Sequence, residues 1–428
     1  MNQLTTNELN TIARQAMIEN GFEPDFPANV IESVNNLSET LSEYLANPTI
    51  RDLRSLLWSS IDDASSRDLD QVEYVEKLPN GDIRVLVGIS DVDEFVPKGS
   101  AVDVHAAKNT ISIYAGSHVF SMLPEQLSTN LTSLLNDVDR LAIVIEMVIA
   151  EDGTVHSKDI YRAVLHNYAK LSYEEIGTWL DENTTVPNSV AKIDGLESQI
   201  RLQFQVAARL LANRQNNGAL EFETIEASPV IKDGKVTNIK ILKTNSARKI
   251  IENFMISTNV AMAEFLEKHN VISLRRVVKT PARWDRIVEV ADSYGVNLPE
   301  VADSRALSAF LTARKLADPL QFPELSLSII KLLGPGEYTV QLPNEEIEGH
   351  FGLAVRDYSH STAPNRRYAD IVTQRLVKAL LANSDIPYQA EELTLISKRL
   401  NERAAAARKV ERQSKVEIGP QERLLFTL

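Results

Sequence analysis

The sequence predicts an α+β fold in which a mixed or antiparallel sheet is followed by packed helices. Three features of the chain indicate this class. Residues 1 to about 47 have apolar side chains at helical spacing, residues from about 49 to 165 contain short apolar runs beside turn pairs, and helical patterns dominate the remainder. Because the strands come first and the helices follow, the order is typical of α+β proteins.

The predicted elements of the first part of the chain have simple signals. Helical spacing predicts helices before Asn47-Pro48, which marks a boundary. The apolar run 83–89 follows the turn pair Asn80-Gly81, and the run 141–149 precedes Asp152-Gly153. Both runs are therefore predicted to be strands.

Helices are predicted to dominate after these strands. Ser172 and Glu175 have capping-box spacing and open one helix, a longer helix is predicted over about 190–214, and a hairpin is expected around Asp233-Gly234. Further helical patterns cover residues 246–268, 282–293, 303–317, 367–383 and 390–417.

Composition excludes several classes of protein. Of the 428 residues, 43% are hydrophobic and 24% are charged, as in ordinary globular proteins. The absence of a long apolar run, of a secretory signal and of cysteine predicts no membrane span, no disulfides, no zinc site and a cytoplasmic location. A net charge of −14 means that any RNA or DNA site has to be a local basic channel.

The segment 60–71 has an unusual density of negative charge. Its aspartates are Asp62, Asp63, Asp68 and Asp70. Carboxylates this close repel one another unless a cation joins them, and Mg²⁺ prefers such oxygens together with water and substrate phosphates. A solvated acidic loop is the alternative interpretation. The segment therefore favours phosphate chemistry.

Three separated parts of the chain carry motifs in a defined order. The first part runs from Arg51 to Asp70. The second comprises residues 87–92, 98–103 and 122–128, and the third comprises 350–354 and 358–370. In this order the three parts resemble the catalytic (RNB) domain of the ribonuclease II and ribonuclease R family, and together they cover roughly residues 50–415.

The resemblance implies processive 3′→5′ hydrolysis of single-stranded RNA to 5′-monophosphates, with Mg²⁺, or Mn²⁺ as an alternative, at the bottom of an RNA channel between the helices. It places Asp62, Asp68 and Asp70 at three of the four acidic positions of the family. At the fourth position this chain has Gln71. A glutamine carbonyl can bind the metal but adds no charge, so we expect weaker metal binding.

Phosphodiester hydrolysis requires an attacking water, a metal that lowers the pKa of this water and cations that stabilise the leaving oxygen. If the segment is extended, Asp68 and Asp70 share a face, and Asp62 returns through the turn at 64–66. We therefore expect the three carboxylates to converge on one point. Asp62 and Asp70 are assigned as metal ligands and Asp68 as a ligand or a residue that positions the water.

Arg366 is predicted to be catalytic, because a guanidinium group at a helix start suits phosphate oxygens and the family has arginine there. Arg367 is a predicted RNA contact, although its spacing also suits an ion pair with Asp370. Tyr114 matches a family tyrosine that stacks on a base near the 3′ end; a tyrosine on a half-buried strand is the alternative. Phe222 is a second candidate for stacking.

The helix predicted over residues 398–415 is rich in lysine and arginine and is the best candidate for a wall of the channel. Arg408 and Arg412 are the predicted RNA contacts, and Glu411 resembles a family glutamate near the 3′-terminal nucleotide. A solvated helix face is the alternative. A second basic cluster comprises Arg275, Arg276, Lys279 and Arg283.

The predicted organisation is a helical extension over 1–48, an RNB catalytic domain over 49–417 and a tail over 418–428. These lengths leave no room for the OB-fold domains that flank the catalytic domain in larger members, so we expect weaker RNA anchoring and steeper salt dependence. No obligate protein partner is evident. The alternative function is a catalytically weakened RNB domain that acts as an RNA-binding or adaptor module, and activity on DNA is a third hypothesis.

Overall fold

Helices precede the sheet, as the sequence predicts. They are α1 (Thr6–Glu19), α2 (Ala28–Asn35) and α3 (Leu41–Ala46). The structure, a computed structural model, describes residues 6–38, 40–115, 118–224, 226–232, 235–242 and 244–416. Ala13, Ala16 and Met17 are buried on one side of α1, so the amphipathic pattern of this helix is confirmed.

A six-stranded sheet closes on itself through its longest strand. The strands of this part of the chain are β1 (Ile50–Asp52), β2 (Trp58–Asp62), β3 (Gln71–Lys77), β4 (Ile83–Ser90), β5 (Ile113–Ala115), β6 (His118–Phe120), β7 (Asp139–Ile149) and β8 (Val155–Ser172). The order is β1-β8-β2-β3-β4-β7, and β8 also pairs with β7. β8 is parallel to β1 and β2 and antiparallel to β7, so the predicted mixed sheet is confirmed.

One face of this closed sheet forms its own apolar core. Trp58, Val72, Leu86 and Leu165, from four strands, belong to one buried cluster. A Cβ atom on Gly88 would overlap with the Leu165 side chain, so this position requires glycine. The other face of the same strands packs against helices in the largest core cluster of the protein.

The second part of the chain is mainly helical. Its elements are α5 (Tyr173–Glu182), α6 (Asn188–Ala191), α7 (Leu196–Asn216), β9 (Glu226–Lys232), β10 (Lys235–Leu242), α8 (Ser246–Lys268), β11 (Ser273–Val277), α9 (Trp284–Ser293), α10 (Ser304–Ala317), α11 (Phe322–Leu333), β12 (Glu337–Gln341), α12 (Tyr368–Leu381) and α13 (Ala390–Val416). In the described ranges, none of the helices combines the length and apolar character needed to cross a bilayer.

Most predicted helices are confirmed within a few residues, and the exceptions have physical reasons. The Ser172 side chain accepts a hydrogen bond from the Glu175 N–H at 3.2 Å, as the capping-box spacing predicts. The sequence missed the helix Ala101–Asn109, here α4. Most of its residues are buried, so it lacks the polar face on which a periodicity argument depends. Its N-cap, Ser100, was the signal that could have found it.

The first helix is part of the folded body of the protein. α1 packs on α13 and on β5 through a buried cluster that includes Met17, Phe22, Ile113 and Val410. The guanidinium of Arg403 on α13 lies 5.1 Å from the centre of the Phe22 ring. α1 therefore covers one side of the basic helix and supports the hairpin of β5 and β6.

Candidate active site

A cavity of about 330 Å³ lies at the end of β2 and the start of β3. Five of the predicted site residues line it, namely Asp62, Asp68, Gln71, Tyr114 and Arg366. These residues come from distant parts of the chain, so the fold brings the predicted acidic, basic and aromatic groups together. The cavity is also lined by residues that the sequence left unassigned, including Asp63, Tyr173 and Arg248.

The acidic segment is held in place by side chains of the loop before β7. Leu69 N–H donates to Ser133 Oγ at 2.9 Å, and Ser133 Oγ donates to the Arg67 carbonyl at 2.7 Å. At the end of β2, Asp62 Oδ1 accepts hydrogen bonds from Ser66 Oγ at 2.8 Å and from the next backbone N–H. Asp62 and Asp68 are therefore fixed on one wall of the cavity.

The Asp70 carboxylate interacts electrostatically with Asp68 and Tyr114, but it is more deeply buried than the two carboxylates that line the cavity. Asp70 is 1% exposed and does not line the cavity. Its Oδ1 accepts a hydrogen bond from the Asn365 N–H at 2.9 Å, and its Oδ2 lies 3.2 Å from Arg366 Nε. Residues 63–70 do not form a strand, so the alternation that placed Asp68 and Asp70 on one face does not apply.

The pKa values of the two carboxyl groups reflect these positions. Burial raises the pKa of Asp70 to about 7, although the Arg366 guanidinium and the Asn365 N–H favour the charged form. Burial also raises the pKa of Asp68, and the charge of Asp62 adds to this effect. Both groups lie where a nearby cation would stabilise their charged forms.

Arg366 and Arg367 have different environments. The Arg366 side chain is 45% exposed and reaches the cavity. Arg367 instead forms two hydrogen bonds with the buried carboxylate of Asp370, from Nε at 3.0 Å and from Nη2 at 2.7 Å. The ion pair that its spacing allowed is therefore present, and Arg367 holds the start of α12.

The side chain and backbone of Asn365 fix the turn before Arg366. Its Nδ2 donates to the Thr132 carbonyl at 2.9 Å, and Thr132 Oγ1 donates to its Oδ1 at 2.6 Å. The structure shows that the Asn365 side chain ties Arg366 and Asp70 to the loop before β7.

A second arginine reaches the cavity from α8. Arg248 Nη2 lies 2.8 Å from Asp63 Oδ1, and its guanidinium lies 4.3 Å from the centre of the Tyr173 ring. Arg248 lies in the first turn of α8, whose N-cap is Asn245. No spacing in the sequence connects these residues, which is why Arg248 was missed. The cavity thus contains two guanidinium groups beside its carboxylates.

The aromatic predictions separate into one that lies at the cavity and one that does not. Tyr114 is on β5, is 46% exposed and lines the cavity with Arg366. Phe222 packs against the helical cluster that includes Trp284 and Phe310, and it lines a different cavity. The structure therefore does not place Phe222, the second candidate for base stacking, at the cavity of Asp62 and Tyr114.

The basic side chains of α13 lie on different faces of the helix. Arg408 is exposed, whereas Arg412 and Lys409 line a groove with residues of α1. Glu411 is partly buried. None of these residues lines the cavity of the acidic segment.

Two of the four residues in the second basic cluster are held by contacts within the protein, whereas Lys279 and Arg283 are exposed. Arg275 is 2% exposed and its Nη2 lies 3.9 Å from Asp357. The guanidinium of Arg276 lies 4.8 Å from the centre of the Tyr338 ring. These contacts place both side chains inside the protein.

The cavity offers oxygen ligands for a divalent ion from two carboxylates and one amide. Among the residues that the structure describes, no three acidic or histidine side chains are close enough to hold a metal ion by themselves. Asp62 and Asp68 offer carboxylates and Gln71 offers a carbonyl oxygen at one cavity. Such an all-oxygen set fits Mg²⁺ or Mn²⁺, because Mg²⁺ usually binds one or two carboxylates together with waters and phosphate oxygens.

Two histidines near Arg276, His350 and His360, should make the stability of the protein depend on pH. Burial and the charge of Arg276 lower the pKa of His350 to about 4, and burial with the charge of Arg367 lowers the pKa of His360 well below its usual range. The unfolded chain binds more protons than the folded chain between these values and about 6.5, so stability falls with acidification in this range.

We expect His350 alone to contribute a loss of about 1 kcal/mol in the free energy of unfolding from about pH 7.5 to about pH 5.5. Urea unfolding at both pH values would measure it. His350→Gln should reduce the loss, and the exposed His156→Gln should not. Equal losses in the wild-type protein and His350→Gln would contradict the prediction.

The comparison with known proteins shows the family to which the chain belongs. Residues 50–383 match the RNB domain family. The chain is similar to ribonuclease R of Vibrio parahaemolyticus, with 31% identity over 364 residues, which covers 84% of this chain and 42% of that protein. The chain thus spans less than half the length of this relative.

Two solved structures have a similar fold. Mycoplasma genitalium RNase R, in complex with ribose-methylated single-stranded RNA, has a TM-score of 0.87 and 23% identity, and the match covers 96% of this chain and 64% of that chain. Yeast Ssd1, a pseudonuclease, has a TM-score of 0.74 and 17% identity, with coverage of 95% and 50%. At these identities the likeness concerns the fold alone.

Proposed function

Because the chain belongs to the RNB family, we propose that it is an exoribonuclease that hydrolyses single-stranded RNA from the 3′ end and releases 5′-monophosphates. The observation that carries the proposal is the cavity in which Asp62, Asp68 and Gln71 meet Arg366 and Tyr114. These groups match the requirements of phosphodiester hydrolysis, which needs metal ligands, a cation for the phosphate and a surface for the base. A cytoplasmic location is part of the proposal.

Each residue of the cavity has a separate role in the proposed reaction. Asp62, Asp68 and the carbonyl oxygen of Gln71 hold Mg²⁺ or Mn²⁺, which lowers the pKa of an attacking water when bound. Asp68 also orients this water. Arg366 donates to a phosphate oxygen and stabilises the charge that develops there, while Asp70 holds the Arg366 side chain in place.

The bound strand approaches through a channel between the sheet and the helices. Tyr114 stacks on a base near the 3′ end, and Arg408 on α13 contacts the backbone farther along. Arg367, through its ion pair with Asp370, supports the turn that carries Arg366. Arg412 and Glu411 lie toward α1. The helical extension over 1–48, the catalytic domain over 49–417 and the tail over 418–428 are the proposed organisation.

A catalytically weakened, RNA-binding protein is the second candidate. Gln71 at the fourth acidic position favours it. The presence of Asp62, Asp68, Asp70 and Arg366 favours the nuclease. We therefore keep hydrolysis as the first proposal.

A time course on a 5′-labelled single-stranded oligoribonucleotide, with Mg²⁺ or with EDTA, tests the proposal. We expect a metal-dependent ladder that shortens from the 3′ end to a short labelled product. The same oligomer made of DNA is the control for sugar specificity. Binding without shortening would support the second candidate, particularly if Gln71→Asp then restored hydrolysis.

Replacing Tyr114 with Ala is expected to weaken RNA binding by about 1–3 kcal/mol, because one stacked base is lost, and to lengthen the final product. Tyr114→Phe retains the ring and should behave like the wild-type protein. Tyr294, which is 42% exposed against 46% for Tyr114, supplies a matched control as Tyr294→Ala. Unchanged product length and affinity in Tyr114→Ala would place the base elsewhere.

A further inference from the structure

Glu73 has an environment that no proposed role explains. Its side chain is fully buried on β3, and neither carboxylate oxygen has a hydrogen-bond partner within the described ranges of the chain. A carboxyl group without a partner in a protein interior is costly, so such groups in native proteins have a reason.

Two polar side chains, Ser59 and Gln203, lie near Glu73. Ser59 lies directly opposite on β2. Gln203 on α7 points its Nε2 toward Ser59 Oγ, at 3.5 Å, and its own Oε1 is also buried without a partner in the part of the chain that the structure describes. Neither the Ser59 hydroxyl nor the Gln203 amide reaches a carboxylate oxygen of Glu73 within hydrogen-bond distance.

Gln71 is a polar neighbour of Glu73 on the same strand. Residues 71 and 73 lie on the same face of β3, with Cα atoms about 7 Å apart, because side chains alternate along a strand. Gln71 lines the cavity beside Asp62, and its amide forms no hydrogen bond with another described residue. An amide group has one acceptor end and one donor end.

We propose that Glu73 is a positioning residue for Gln71. Glu73 accepts a hydrogen bond from the amide NH₂, which turns the Gln71 carbonyl oxygen toward the divalent ion in the cavity. Carboxylates that orient the ligands of a metal ion act in the same way in other metal sites. The inference rests on the metal site of the proposed function.

Mn²⁺ binding to the protein without RNA, followed by electron paramagnetic resonance of the free ion, tests this role. Glu73→Gln should raise the Mn²⁺ dissociation constant about 10-fold or more. It should leave the thermal midpoint unchanged or higher, because a buried carboxyl group is removed. Glu76→Gln is the matched control, since Glu76 is on the same strand but pairs with Arg84 away from the cavity.

Gln71→Asp separates the proposed role from a structural one. An aspartate at position 71 binds the ion directly, so Glu73→Gln should have little effect on Mn²⁺ affinity in the Gln71→Asp background. Should Glu73→Gln fail to fold, Gln71→Met, which has no amide, should weaken Mn²⁺ binding to the same extent. Wild-type Mn²⁺ affinity in Glu73→Gln or in Gln71→Met would overturn the proposal. Because RNA is absent, a failure of the proposed nuclease activity would not affect the result.

Discussion

Asp70→Asn is expected to lower the rate of RNA hydrolysis by about 1,000-fold or more while the protein remains folded. Asn can still accept the hydrogen bond from the Asn365 N–H, but it carries no charge and presents an NH₂ group or a weaker acceptor to Arg366. Arg366 would then lose the partner that fixes it at the cavity. The variant therefore removes both a negative charge near the metal site and the alignment of the catalytic arginine.

Single-turnover hydrolysis of labelled RNA measures this effect, with circular dichroism and thermal unfolding to establish folding. Asp159→Asn is a suitable control, because Asp159 forms an exposed ion pair with Arg51 far from the cavity. We expect its rate to equal that of the wild-type protein. A folded Asp70→Asn protein with more than about a tenth of the wild-type rate would show that Asp70 is dispensable.

Arg366→Ala is expected to reduce the single-turnover rate by about 100- to 1,000-fold, with a much smaller change in RNA affinity. The reason is that charge accumulates on the phosphate in the transition state, so a guanidinium group at this place acts mainly there. Arg366→Lys retains the charge but lacks the fork that can bind Asp70 and a phosphate oxygen together, and should recover only part of the rate.

The rate at saturating RNA and the dissociation constant, measured separately, distinguish catalysis from binding. Arg286→Ala, an exposed arginine on α9, is the control. If Arg366→Ala weakened binding but left the rate at saturation unchanged, the residue would be a binding group alone. The double variant Asp70→Asn/Arg366→Ala should be little slower than the slower single variant, because the two side chains act as one unit.

Sequence reasoning succeeded where local chemistry decides the structure. α8 is observed at Ser246–Lys268, the predicted range, because its periodicity and its Asn245 cap agree. The pairing of Arg367 with Asp370 follows from three-residue spacing on a helix. α4 was missed because a helix buried on most sides has no periodic pattern.

Contacts across the chain were beyond such reasoning. The closure of the sheet by β8 and the contact between Asp70 and Arg366 join segments far apart in sequence, and neither leaves a local pattern. The sequence therefore identified most residues of the cavity, although its argument from strand alternation does not apply to residues 63–70. It also left Arg248 unassigned, since an arginine near a helix start has no distinctive spacing.

The closing strand β8 also determines the order in which the protein can fold during synthesis. β1 and β2 pair with β8 in parallel, so their edges have no partner until residues 162–172 have left the ribosome. Until then the apolar face around Trp58 lacks the side chains that β8 contributes to this core. Long-range pairing of this kind is slow and prone to aggregation. Asp70 gains its ion-pair partner later still, because Arg366 is synthesised long after residues 162–172. The nascent chain therefore has a closed barrel well before it has a complete cavity.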